Sequence, residues 1–286
     1  MTPPPIRRMP HEQLELLCAT PESPTGAPLL FIHGAFHGAW CYEQWLPFFA
    51  ERGHPAWALS LRGHGESAGT YAGAGLRDYL ADIEEAIARI GTPPVLIGHS
   101  MGGFLAQHLV ARSVFPAAVL VATVPIGGLP WQVLLRNATH HPWRLLRALA
   151  SRDMHPFADT PAFIRDSFFS PALPEADLLR HAARIHGESL SAFMQLGPFG
   201  RRPRAEHCTT PTLVVAGALD PAMPPPRLAA TARAFRADLQ VMEGSGHDLM
   251  LDVGWRETAE RIHGWLAIKL ATAEAPLLPR ASAGTR

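Results

Sequence analysis

What this chain has little of narrows its chemistry first. It carries three cysteines in 286 residues, at Cys18, Cys41 and Cys208. The number is odd, the positions are scattered and no C-x-x-C pair occurs. A disulfide framework or thiolate metal site is therefore not expected, and a reducing compartment suits the chain better. Excess charge is lacking too. Twenty-five basic and 25 acidic residues cancel to a formal net charge of zero, which gives no electrostatic reason to bind nucleic acid or an anionic membrane. Long apolar runs are also missing. Phe115 to Trp131 comes nearest, yet Pro116, Pro125 and Pro130 break it below membrane-spanning length. Met1 to Pro10 is proline-rich and has no apolar core of a secretory signal. The expectation is a soluble, cytoplasmic protein with small neutral molecules as partners, neither nucleic acid nor a membrane.

What is present is globular. The chain is 47% hydrophobic and 17% charged, enough for a large core in one domain with an insertion. Its most informative stretch is Pro94 to Phe104. Val95 to Ile97 reads as a buried strand and Phe104 to Val110 as a helix, with Gly98-His99-Ser100-Met101-Gly102 between them. This G-x-S-x-G pattern lifts a serine clear of the sheet on a sharp, strained turn, and side chains at Gly98 and Gly102 would collide where strand and helix meet.

The rest of the chain alternates around this turn. Strands are expected at Leu14–Cys18, Pro28–Ile32, Ala56–Leu59, Ala118–Ala122, Thr212–Ala216 and Asp238–Met242. Helices are expected at Cys41–Arg52, Leu76–Ile90, Arg227–Phe235 and Trp255–Leu270. Alternation with crossovers of this length implies a parallel sheet in an α/β fold. Between Pro125 and Arg204 the alternation stops, leaving helical stretches at Trp131–Asn137, Trp143–Ala150, Ala176–Ile185 and Ser189–Leu196. The expected organisation is a core of residues 11–124 and 205–270, a helical cap of residues 125–204 over the strand ends, and disordered tails at 1–10 and 271–286.

A serine hydroxyl is a weak nucleophile and needs a base, which in turn needs a carboxylate to orient it. The turn after the penultimate strand offers Asp220 in Gly217-Ala218-Leu219-Asp220-Pro221. The turn after the last strand offers His247 in Gly244-Ser245-Gly246-His247-Asp248. The order Ser100, Asp220, His247 is the one this type of sheet requires. Asp248 and Asp252 are the competing acids, but they sit beside His247 in sequence and would point away from its ring. His33, His99 and His64 belong to motif turns and are read as loop-holding groups. His140, His141, His155, His181 and His186 lack metal-ligand spacing, so no metal is expected.

With these pieces in place the sequence resembles the α/β-hydrolase superfamily from about Leu29 to Leu270. The resemblance is carried by His33-Gly34 with Trp40, Arg62-Gly63-His64-Gly65, the Gly98-to-Gly102 turn, Asp220 and Gly246-His247. The run His33 to Trp40 is similar to the branch holding plant methylesterases and hydroxynitrile lyases. The serine turn and C-terminal pieces are similar to bacterial carboxylesterases. The resemblance implies an α/β-hydrolase fold and an oxyanion hole from the N–H groups of Ala35 and Met101. It also implies hydrolysis of a carboxylic ester, lactone or monoacylglycerol through an acyl-enzyme on Ser100, with no cofactor. Phe36, Trp131, Phe163, Phe168, Phe193 and Met194 are the expected pocket residues, and their character favours a small-to-medium hydrophobic substrate. Carbon–carbon bond cleavage, cofactor-free haloperoxidase chemistry and a non-catalytic receptor are the alternatives on the same fold. Asp248 stands where the plant lyases carry lysine, which argues against lyase chemistry.

Overall fold

The structure is a computed structural model that describes residues 3–9, 13–129, 135, 139–197 and 200–274. Its frame is one eight-stranded sheet. The strands are β1 (Arg7–Arg8), β2 (Leu16–Ala19), β3 (Leu29–Ile32), β4 (Ala56–Leu59), β5 (Val95–His99), β6 (Ala118–Val121), β7 (Thr212–Gly217) and β8 (Asp238–Met242). They lie in the order β1-β2-β4-β3-β5-β6-β7-β8. β1 and β2 run antiparallel to their neighbours, and every pairing from β4 through β8 is parallel.

The strands read as continuous apolar runs because both faces of the sheet are covered. Leu29 and Phe31 enter one core with α1 (Trp45–Ala50) and the closing helix α9 (Trp255–Glu274). Leu30 and Ile32 enter the other, with α2 (Leu76–Ile90), α3 (Met101–Val110) and α8 (Pro225–Phe235). Between β6 and β7 lie α4 (Pro142–Ser151), α5 (Pro161–Phe168), α6 (Glu175–Ala182) and α7 (Leu190–Leu196).

Several expectations need correction. Arg7 and Arg8 are not disordered: they pair with Cys18 and Leu17, and Arg8 bonds the buried Glu15 at 2.9 Å. At the other end α9 continues through residues 271–274 before the described chain stops. The expected helix Cys41–Arg52 is split into a 3-10 turn, Ala39–Tyr42, and α1. Pro47 lies in the first turn of α1, where proline is tolerated, but its ring would clash with the carbonyl four residues back in a longer helix. Helix α5 was not expected, although Pro161 at its first position is a helix-start signal. The stretch Trp131–Asn137 lies mostly outside the described residues.

Candidate active site

Strand order places the site. The chain leaves β3 for β4 on one side and returns to β5 on the other, so the loops after β3 and β5 diverge and open a crevice at their C-terminal ends. Ser100 follows β5 there with φ of 51°, a conformation that costs a non-glycine residue on the order of 1–3 kcal/mol. Backbone bonds hold it: Ser100 N–H donates to the Val121 carbonyl at 3.0 Å, and Val124 N–H donates to the Ser100 carbonyl at 3.1 Å. A Cβ at Gly98 would meet the Gly102 carbonyl, and one at Gly102 would meet the Ile32 carbonyl. The two glycines are thus needed for close approach of strand and helix.

The other two groups arrive from the neighbouring strand ends. Asp220 follows β7 and His247 follows β8. His247 Nδ1–H donates to Asp220 Oδ2 at 2.7 Å, while Ala222 and Met223 N–H groups hold Asp220 Oδ1 at 2.8 Å each. With Nδ1 engaged as donor, the imidazole offers Nε2 as its proton acceptor. Burial pushes His247 down, but the charge and hydrogen bond of Asp220, with the charge of Asp248, hold it above its ordinary value.

Ser100 and His247 face one cavity of about 490 Å³. Ala35 and Met101 line it beside Ser100. Met101 opens α3, and the first N–H groups of a helix have no partner within it, so a developing negative charge finds donors and a positive dipole end there. The turn carrying Ala35 presses close to the serine, since a Cβ on Gly34 would stand 2.9 Å from Ser100 Cβ.

Of the expected pocket residues, Phe36, Phe163, Phe168 and Phe193 line the cavity, joined by Val124, Leu129, Met154, Phe157 and Met223. Met194 does not: it is 65% exposed, because one step along α7 from Phe193 rotates the side chain by about 100°. Trp131 lies outside the described residues. The motif histidines hold loops, as expected. His33 Nδ1 donates to the Gly34 carbonyl at 2.7 Å and its Nε2 accepts from Leu61 N–H at 3.0 Å. His99 Nε2 donates to the His247 carbonyl at 3.1 Å, and burial pushes this imidazole down to about 3. Asp252 accepts from Ser170 and Gly246 N–H groups at 2.9 Å each. Asp248 turns from the ring of His247 to His37, 3.0 Å away, a pairing that sequence spacing does not reveal.

Comparison with known proteins agrees with this fold. Residues 29–261 match the alpha/beta hydrolase family. The probable esterase PIR7A of Oryza sativa subsp. japonica is 33% identical over 109 residues, 36% of this chain and 41% of its own length. A non-heme haloperoxidase of Rhodococcus erythropolis is 34% identical over 107 residues, 35% of this chain and 38% of its own length. The chain thus spans about two fifths of the length of these curated relatives. The crystal structure of Paleococcus ferrophilus monoacylglycerol lipase has a TM-score of 0.66 at 20% identity, covering 89% of this chain and 99% of that one, a likeness of fold. With residues 29–261 matched, the chain belongs to the α/β hydrolase family.

Proposed function

We propose that this protein hydrolyses small-to-medium hydrophobic carboxylic esters, lactones or monoacylglycerols through an acyl-enzyme on Ser100. The observation that carries this reading is the buried His247–Asp220 couple opening, together with Ser100, onto one largely apolar cavity. In the reaction Ser100 Oγ attacks the ester carbonyl carbon as His247 Nε2 takes its proton. Asp220 keeps Nδ1 protonated and stabilises the imidazolium. The carbonyl oxygen gains the negative charge and is met by the N–H groups of Ala35 and Met101, each such donor being worth about 3 kcal/mol of activation free energy. His247 then protonates the departing alkoxide, and the Ser100 ester remains. Water, deprotonated by His247, attacks that ester and releases the acid with Ser100 restored. Each of these steps uses only groups of the chain and water.

In this reading residues 11–124 and 205–270 form the catalytic core, and residues 125–204 form a cap whose aromatic side chains select apolar substrates. Three free, buried cysteines suit a reducing, cytoplasmic setting. Among the described residues no helix is long and apolar enough to cross a membrane. The test is covalent labelling with a fluorophosphonate followed by peptide mapping. Label on Ser100, and loss of esterase turnover in a folded Ser100→Ala variant, are expected; turnover persisting in that variant overturns the assignment. Similarity to a non-heme haloperoxidase makes halide-dependent bromination the second activity to assay.

A further inference from the structure

His37 and Asp248 lie 211 positions apart in the chain and meet beside the cavity with 1% and 0% of their side chains exposed. His37 Nδ1 stands 2.7 Å from the Ala35 carbonyl oxygen and Nε2 stands 3.0 Å from Asp248 Oδ2. Carbonyl and carboxylate oxygens only accept, so with Asp248 ionised both ring nitrogens donate and the ring is an imidazolium. Burial pushes Asp248 up, but the charge and hydrogen bond of His37, with His99 and His247 nearby, bring it down to about 2 and keep it a carboxylate. Such a pair is costly to bury and weak as a general stabiliser, so its use is to be sought in what it holds.

At one end it holds the turn after β3. The His37 ring fixes the Ala35 carbonyl, and His33 fixes the Gly34 carbonyl. In a trans peptide the N–H points opposite to the carbonyl, so fixing these two oxygens fixes the N–H groups of Phe36 and Ala35. The turn needs this hold because Phe36 has φ of 70°, a left-handed conformation uncommon for a bulky residue. At the other end it holds the base: Asp248 directly follows His247, and His99 Nε2, which bonds the His247 carbonyl, is 3.4 Å from Asp248 Oδ1. Around His37 stand His33 and His99 at the strand ends, His247 and Asp248 on the loop after β8, and His181 and His186 from the segment between β6 and β7.

We infer that His37 and Asp248 form a buried imidazolium–carboxylate pair that positions the Ala35–Phe36 turn against the His247 loop. As a statement about catalysis this rests on the serine-hydrolase reading; as a statement about the pair it does not. Two measurements test it. In the full chain labelled with 15N-histidine, both His37 ring nitrogens carry protons at pH 5.5, whereas in Asp248→Asn one does not; a singly protonated His37 ring in the parent chain at that pH overturns the proposal. In ester hydrolysis, folded His37→Leu and Asp248→Leu variants each lose kcat by about 10- to 100-fold, the scale of a displaced reacting group, with KM changed less than about threefold. The double variant loses no more than either single one. Asp248→Asn recovers most of the loss, because a neutral His37 still donates to the Ala35 carbonyl while accepting from the new amide. A kcat loss under about fivefold in folded His37→Leu, or losses that multiply in the double variant, overturns the proposal. Failure of Ser100 to label in the parent chain tells against the hydrolase reading alone, and the ring signals still decide the pair.

Discussion

His64 Nε2 lies 3.2 Å from Glu188 Oε2, and neither side chain is exposed. The contact joins the turn after β4 to the segment between β6 and β7. The same carboxylate accepts from Tyr79 Oη–H on α2 and from Ser189 N–H, both at 2.6 Å. Beside it, Asp153 accepts from Tyr71 Oη–H at 2.9 Å and from Glu188 N–H at 3.1 Å. These buried polar bonds fasten the segment between β6 and β7 to the turn after β4 and to α2, and that segment reaches the site itself, since His186 N–H donates to the Phe36 carbonyl at 3.2 Å.

Glu188→Ala strips one acceptor from three buried donors. Leaving such groups unpaired costs about 3 kcal/mol, so the urea midpoint falls at unchanged slope and kcat falls with it as the Phe36 contact loosens. Glu188→Gln, which keeps one acceptor oxygen, loses less. Equilibrium unfolding of the two variants beside the parent checks the order; equal stability of all three contradicts the fastening role.

Asp220→Asn separates the charge of the acid from its shape. His247 acts as base only when neutral, so kcat/KM rises with pH through its pKa. With Asp220 present that pKa is held above 6.5 despite burial. Removing the charge lets burial dominate, and the acid limb of the pH–rate profile moves to lower pH. The plateau falls by about 10³- to 10⁴-fold as the imidazole loses its fixed tautomer. Stopped assays across pH 5 to 9 with one activated ester measure both effects; a limb that stays in place contradicts the assigned acid.

Much of this fold is legible in the sequence. The Leu29–Ile32, Ala56–Leu59 and Val95–Ile97 runs are buried on both sheet faces, so they stand out as unbroken apolar strands. Leu76–Ile90 is half exposed, so its period of three and four is plain. Ser100, Asp220 and His247, which the structure brings to one end of the sheet, were legible because each sits in a turn next to a strand that could be read. His37 and Asp248 were not, because nothing in local periodicity reports a contact across 211 residues. The cavity wall was half legible for a different reason. Residue type marks Phe193 and Met194 alike as apolar, and only the rotation of the short α7 decides that Phe193 faces the cavity and Met194 the solvent. Arg7 and Arg8 form a strand only because β2 offers an edge, which two charged residues alone cannot announce.

Phe163 from α5 lines the cavity and stacks edge-on against Phe157, with ring centroids 6.2 Å apart. Phe163→Ala lengthens the apolar space without touching Ser100, Asp220 or His247. Each added methylene that finds a dry wall gains about 1 kcal/mol. The space left by one phenyl ring takes up about one to two of the four extra methylenes of an octanoyl chain, so the ratio of kcat/KM for an octanoyl over a butanoyl aryl ester rises about tenfold, mostly through the longer substrate. An unchanged ratio places the acyl chain elsewhere.

The His37–Asp248 pair sets a pH window on stability. His37 is held above its ordinary value: burial pushes it down, and the charge and bond of Asp248 more than reverse this. Its contribution is therefore complete below pH 6.5 and is lost as pH rises through its folded pKa. Asp248 is depressed to about 2 from 3.8, so its contribution is complete above about pH 4 and is lost as pH falls. Both are complete together only between about pH 4 and pH 6.5. The stability of the parent relative to Asp248→Asn is accordingly greatest there, and narrows by about 1 kcal/mol between pH 5 and pH 3. It narrows again as pH rises through the folded pKa of His37, where the ring gives up its second proton and Asp248 is left with a single neutral donor. Urea unfolding of both chains at pH 3, 5 and 9 measures the two slopes. A difference that does not change with pH means that the pair is not charged in the folded chain.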